Sequence, residues 1–248
     1  MINILVVNDD GFDALGIKIL ASKLKKYGNV TIVGPSSHRS ASSHAIKIRE
    51  TISFKAESSI DNIKRYSISG YPADTVRLAT DLLGIDFDIC FSGVNNGLNL
   101  GTDIIYSGTV SAAREASIEG ICSVALSCDV DCFDIVSNEL DSVLEFVFNN
   151  KLYSRDYTLN INFPISSYKK SNGFKFAHQG IKRFKTTFKK IENGIYSENG
   201  SVITGDNDIE SDVYLASLGY ITFVPIIVSQ TNFRSEEHTS ELQSPMYL

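Results

Sequence analysis

Asn3-Ile4-Leu5-Val6-Val7-Asn8-Asp9-Asp10-Gly11 is the stretch that decides the fold. A short, continuous apolar run of this kind is what a parallel sheet buries on both faces. It breaks into a polar turn at Asn8. Ile17, Leu20, Ala21 and Leu24 then recur at helical spacing, and Tyr27-Gly28-Asn29 closes that helix. Val30–Val33 reads as the next strand, stopped by Gly34-Pro35. Strand, helix and strand in this order form a βαβ unit, which needs a parallel sheet with the helix packed on one face.

The alternation continues outward. Residues 36–44 form a polar loop with five serines. Residues 46–54 and 64–69 read as strands at the sheet margin. Pro72 precedes a helix over Ala73–Leu83, and Phe87–Ser92 is another buried strand. A Gly/Asn-rich loop runs to Gly101, and a helix covers Gly108–Glu119. Ser123–Ser127, a helix over Phe133–Asn149 and a strand over Thr158–Asn162 follow. From Gly173 onward the runs are short and β-like: Phe174–Ala177, Gly194–Glu198 and Tyr220–Val228. The reading is α/β: a Rossmann-like, mostly parallel sheet with flanking helices over residues 1–165, then a β-rich C-terminal arm over 166–233. Residues 234–248 resemble the translation of a sequencing-library adapter and are read as a foreign tail, outside the fold.

The 248 residues, 43% of them apolar, are ample for a sizeable core. The formal net charge of −6 argues against a nucleic-acid polymer as partner. No run of 18 apolar residues marks a membrane span. The first residues lack the basic start of a signal peptide, so a cytoplasmic location is expected. Cys90, Cys122, Cys128 and Cys132 form no CxxC pair. Cys128 and Cys132 sit beside Asp129, Asp131 and Asp134, but no further Cys or His lies at finger spacing, so free thiols are expected.

Three loops follow candidate parallel strands, where open α/β sheets bind ligands. In the first, Asp9 and Asp10 are neighbouring carboxylates that repel unless a cation joins them, and hard divalent cations prefer oxygen ligands. Asp10-Gly11 is also an ordinary turn dipeptide. In the second, Ser40 offers a hydroxyl to a metal or a phosphate, whereas His38 and His44 read as exposed loop histidines. In the third, glycines at 93, 97 and 101 alternate with Asn95 and Asn99, without the GxGxxG dinucleotide pattern. Beyond it, Ser107-Gly108-Thr109 opens a helix whose free N–H groups and partial positive charge suit phosphate. Ser107 or Thr109 can equally serve as a plain helix cap. Carboxylates and an amide for a cation, with hydroxyls and a helix start for a phosphate, are the parts of metal-assisted phosphate hydrolysis.

Together these segments resemble the SurE family, the survival-protein E 5′/3′-nucleotidases of bacteria and archaea. The resemblance rests on Ile4–Gly11 with Gly16-Ile17, and on Pro35 with Arg39-Ser40-Ala41. It rests also on Gly70–Asp74, on Ser92–Asn95 with Gly97, Asn99 and Gly101, and on Tyr106–Glu115. Asn160–Pro164 and residues 206–225 fit as well, so the likeness spans residues 1–231. It implies one divalent cation, Mg²⁺ or Mn²⁺, held by Asp9, Asp10, Ser40 and Asn95, with Asp9 and Asp10 as the catalytic pair. It implies phosphate contacts from Asn99, Ser107, Gly108 and Thr109. The implied reaction is hydrolysis of nucleoside 5′- or 3′-monophosphates to nucleoside and phosphate, with short polyphosphate as a further substrate in some members. It implies a homodimer or tetramer built through the β arm and a final helix, an assembly that the altered C-terminus stands to impair. Ala116 follows Glu115 where the family usually has Gly. Two other readings stay open: a non-catalytic nucleotide or phosphate sensor on the same fold, and a sugar-nucleotide transferase using Asp9 and Asp10 with a metal.

Overall fold

The computed structural model describes residues 1–204 and 207–231. The expectation of a foreign tail at 234–248 therefore lies outside the described residues. β1 (Ile2–Val7) buries its last four residues completely, as its unbroken apolar run requires. α1 (Leu15–Leu24) turns Ile17, Leu20, Ala21 and Leu24 inward, one apolar stripe at helical spacing. β2 (Gly28–Pro35) then returns parallel to β1, with Ile4 opposite Val30 and Val6 opposite Ile32.

After β2 come β3 (Phe54–Ile60), β4 (Ile63–Ile68), α2 (Pro72–Leu82) and β5 (Ile89–Asn96). Next are a 3-10 turn (Gly101–Ile105), α3 (Gly108–Ile118), β6 (Cys122–Cys128), α4 (Phe133–Asn149) and β7 (Thr158–Asn162). β8 (Phe174–Phe176), β9 (Lys182–Glu192), β10 (Ile195–Thr204), α5 (Asp212–Ser217) and β11 (Ile221–Ile226) complete the described chain. Nine strands form one sheet in the order β3-β4-β2-β1-β5-β6-β7-β11-β8. The pairs from β4 through β7 are parallel, while β3 joins β4 and β11 joins β7 antiparallel. This is the expected mostly parallel, Rossmann-like sheet.

One core layer joins α1 and α4 to the sheet through Ile17, Leu20, Val136, Leu140 and Phe91. The opposite layer holds Leu5, Val7, Val76, Ala79, Ala112 and Ala116, from β1, α2 and α3. Among the described residues no helix is long and apolar enough to cross a membrane.

Two details differ from the sequence reading. Residues 46–53 are not a strand, because the Lys47 N–H donates to the Asp74 carboxylate of α2 at 3.1 and 3.2 Å instead of to a neighbouring strand. The segment read as one β-rich arm also divides. β8 and β11 extend the main sheet, and only β9 and β10 stand apart as an antiparallel hairpin turned at Asn193-Gly194. That hairpin exposes Phe188, Ile191, Tyr196 and Val202.

Candidate active site

β1 lies between β2 and β5, so the chain leaves its carboxyl end toward one neighbour and later returns on the other side. That is the topological switch point where open α/β sheets hold ligands. The Asn8 side chain closes the first loop: its Nδ2 donates to the Gly11 carbonyl at 2.9 Å and its Oδ1 accepts from the Gly11 N–H at 3.2 Å. The turn leaves Asp9 buried, at 3% exposure. Burial pushes the Asp9 carboxyl up to about 6; a hydrogen bond from Thr109 opposes the rise and the charge of Asp10 adds to it.

The second loop is tied to the first by the Arg39 N–H, which donates to the Asp9 carbonyl at 2.8 Å. This places Ser40 beside the carboxylates. His38 Nε2 lies 2.7 Å from Ser40 Oγ and 3.1 Å from Asp10 Oδ1. The second carboxylate oxygen of Asp10 accepts from the Asn96 N–H at 3.3 Å.

The third loop continues β5. At Gly93 the backbone takes φ +133°, and a Cβ there would lie 2.3 Å from the Leu126 carbonyl of β6. Glycine lets β5 shift its register against β6 between Ser92 and Asn95, which carries Asn95 to the loop. Asn95 Nδ2 donates to the Gly97 carbonyl at 2.7 Å, which leaves Oδ1 as the acceptor of that amide. Asn99 is held in a buried polar cluster. Its Nδ2 donates to Ser127 Oγ at 2.8 Å, its N–H donates to Asn162 Oδ1 at 2.8 Å, and its carbonyl accepts from Asn160 Nδ2 at 2.9 Å.

α3 points its N-terminus at the same place. Ser107 caps it, with Oγ accepting from the Val110 N–H at 3.0 Å. Thr109 Oγ1 donates to Asp9 Oδ1 at 2.5 Å. Gly108 packs on Asp9 so closely that a Cβ would sit 2.9 Å from Asp9 Oδ2.

Asp9, Ser40, Asn95, Asn99 and Ser107 line one cavity of about 210 Å³. Asp10, Gly108 and Thr109 border it at one remove: Asp10 through the His38–Ser40 contact, the other two through Asp9. Among the described residues no three His, Cys, Asp or Glu side chains converge as a metal cluster. A cation here would have to draw on neutral oxygens as well, such as those that Ser40 and Asn95 offer. All four side chains offer hard oxygen atoms, which suits Mg²⁺ or Mn²⁺.

Three further residues border this site. His38 is exposed as expected, yet it touches both Ser40 and Asp10. Its two-residue separation from Ser40 was the available signal. Tyr106 and Phe184 also line the cavity, and Phe184 arrives on the hairpin with no local pattern to mark it. His44 does not line it; its Nε2 lies 2.7 Å from Glu115 Oε2 on α3.

Fold and site define a class: a Rossmann-like α/β protein that gathers carboxylates, amides and a helix start at the switch point of its sheet. The family model for survival protein SurE matches residues 4–186, and the chain belongs to the SurE family. It is 39% identical over 243 residues to a protein of Clostridium botulinum strain Alaska E43 called 5′-nucleotidase SurE, covering 94% of this chain and 96% of that relative. A second protein of that name, from Clostridium botulinum strain 657, is 40% identical over 252 residues, covering 97% and 98%. The crystal structure of the SurE protein from Aquifex aeolicus superposes with a TM-score of 0.79 at 28% identity, covering 97% of this chain and 99% of that one.

Proposed function

We propose that this chain is a metal-dependent phosphomonoesterase that hydrolyses nucleoside 5′- or 3′-monophosphates to nucleoside and phosphate. The observation that carries the reading is the contact between Asp9 at the end of β1 and the start of α3, where Thr109 donates to the carboxylate and Gly108 lies against it. A carboxylate suited to a cation and a helix start suited to an anion meet at one point, and metal-assisted hydrolysis of a phosphate uses both. The names of the two clostridial relatives support the same substrate class.

Asp9, Asp10, Ser40 and Asn95 would hold one divalent cation. The cation would supply Lewis-acid polarisation of a phosphoryl oxygen and neutralise the paired carboxylates. The first N–H groups of α3, at Gly108 and Thr109, hold the charge that develops on the phosphoryl oxygens, and Ser107 and Asn99 complete that wall. Asp9 or Asp10 orients the attacking water for in-line displacement. The exposed apolar residues of the hairpin, among them Phe188 and Ile191, support a homodimer or tetramer formed through this arm.

Phosphate release from AMP, GMP and 3′-AMP, measured after chelation and after adding back Mg²⁺ or Mn²⁺, tests the reading. Chelator should abolish release and either ion restore it. Full activity in excess chelator would overturn the metal assignment, and silence toward every nucleotide with every metal would overturn the nucleotidase.

A further inference from the structure

Two aromatic rings line the cavity and take no part in the hydrolysis itself. Tyr106 is 59% exposed and Phe184 is 49% exposed, yet both share the cavity with Asp9 and Ser107. A half-exposed ring beside an open, anionic pocket adds little to the core of its own chain. Both come from well-anchored backbone. The Tyr106 carbonyl accepts the Ser43 N–H at 2.9 Å, and its own N–H donates to the Asp103 carbonyl at 3.0 Å. Phe184 is the third residue of β9, and that strand is clamped to the 3-10 turn where Lys182 Nζ donates to Asp103 Oδ2 at 2.5 Å. The Lys182 ammonium also lies 5.6 Å from the centre of the Phe184 ring.

The cavity is small for a whole nucleotide. Sites for drug-sized ligands run from roughly 300 to 1,000 Å³, whereas this one holds about 210 Å³. With the phosphate at the start of α3, the sugar fills what remains and the base is left at the mouth. A planar base there lies beside two aromatic rings, and Phe184 has no group that can read a hydrogen-bonding edge.

We propose that Phe184, together with Tyr106, forms a stacking rim for the nucleobase, so that this chain selects nucleotides over base-free sugar phosphates while tolerating any base. The proposal rests on the nucleotidase reading. Every base has a π-face, so stacking is tolerant of base identity. The rim therefore favours the larger purine surface by degree and excludes no pyrimidine. It also makes the hairpin, which lies outside the main sheet, part of substrate selection.

The test compares kcat/KM for AMP and for ribose 5-phosphate in the metal-loaded protein and in Phe184→Ala, Phe184→Trp and Tyr106→Ala. The preference for AMP should fall roughly tenfold in Phe184→Ala, about 1.4 kcal/mol. The loss should appear in KM and be recovered in Phe184→Trp. An equal fall for both substrates, or no fall for either, overturns the rim. Light scattering on each variant separates a change of assembly from a change of site; Tyr106→Ala, outside the hairpin, should lower the same preference with the assembly intact. If the unaltered protein releases no phosphate from AMP, the nucleotidase reading fails on that result alone. Calorimetric binding of AMP and ribose 5-phosphate then decides the rim: selective weakening of AMP by Phe184→Ala supports it, and equal affinities before and after overturn it.

Discussion

Thr109 donates its hydroxyl to the carboxylate of Asp9 across 100 residues of chain, at 2.5 Å. That bond joins the end of the first strand to the first turn of α3. Asp9 and Asp10 stand side by side in the sequence, but only Asp9 is locked to the helix start. Asp10 faces His38 and the Asn96 N–H.

Asp9→Asn and Asp10→Asn should each lower turnover by orders of magnitude and weaken Mn²⁺ binding in calorimetry, with the fold retained. Each removes a charge from the proposed hard-cation site while keeping its shape. His44→Ala, whose imidazole pairs with Glu115 and does not line the cavity, should change turnover by less than about tenfold, or roughly 1.4 kcal/mol in barrier. A histidine effect as large as the aspartate effects would show that the chemistry had been assigned to the wrong groups.

Gly108→Ala tests the close approach directly. Its Cβ would lie 2.8 Å from Asp9 Cβ and 2.9 Å from Pro72 Cγ, so α3 or β1 has to shift. Overpacking of this kind costs roughly 1–3 kcal/mol of stability, seen as a lower Tm. Turnover should fall more than tenfold, since the displaced helix start no longer meets the phosphate where Asp9 does. Wild-type kinetics in a folded variant would mean that this contact has no part in the reaction.

Asp212 holds three separate backbones together. Its carboxylate accepts N–H groups from Gly101 at 2.9 Å, Gly180 at 2.7 Å and Val213 at 2.8 Å. Burial nevertheless raises its pKa above the ordinary carboxylate value, against those three bonds. Asp212→Ala leaves buried donors without a partner, a loss of roughly 2–4 kcal/mol in denaturant unfolding. Asp212→Asn keeps an acceptor and should lose less. If alanine were as stable as asparagine, the carboxylate would not be the clamp.

The pair His178–Asp208, at 2.9 Å, sets a pH window. Hydrogen bonds to the Gln179 carbonyl and then to Asp208 raise the His178 pKa above 6.5, so its contribution is complete below that value and is lost as pH rises through the raised pKa. The Glu210 N–H and then His178 lower Asp208 below 3.8, so its contribution holds above that value and is lost as pH falls through the lowered pKa. The difference in Tm between the unaltered protein and His178→Ala should therefore be largest near pH 5 to 6 and shrink as the pH rises through the raised His178 pKa. NMR titration should place the His178 midpoint above 6.5; a midpoint below it contradicts the pairing.

Elements that bury a face are legible in the amino-acid pattern alone. β1 was legible because Ile4, Leu5, Val6 and Val7 are all buried, and an unbroken apolar run needs a sheet covered on both sides. α4 was legible over Phe133–Asn149 because Val136, Leu140, Val143, Leu144 and Val147 repeat at the helical period. β9 was not, since Lys182–Glu192 is exposed along nearly its whole length and carries no burial pattern to read. Residues 46–53 have strand-like composition, but a distant carboxylate takes the Lys47 N–H, and local propensity holds no record of Asp74.

Three of the site's loops could be named from the sequence because each follows a buried strand. That they meet was decided by tertiary structure alone: β1 sits between β2 and β5, so the loops carrying Asp9, Ser40 and Asn95 converge at one end of the sheet. The same order brings Ser107 and Tyr106 against them, and the hairpin delivers Phe184 from 75 positions further along the chain than Thr109. Periodicity reports which face of a segment is buried. It says nothing of which segments become neighbours, because strand order is set by packing of whole layers over distances that no local pattern spans.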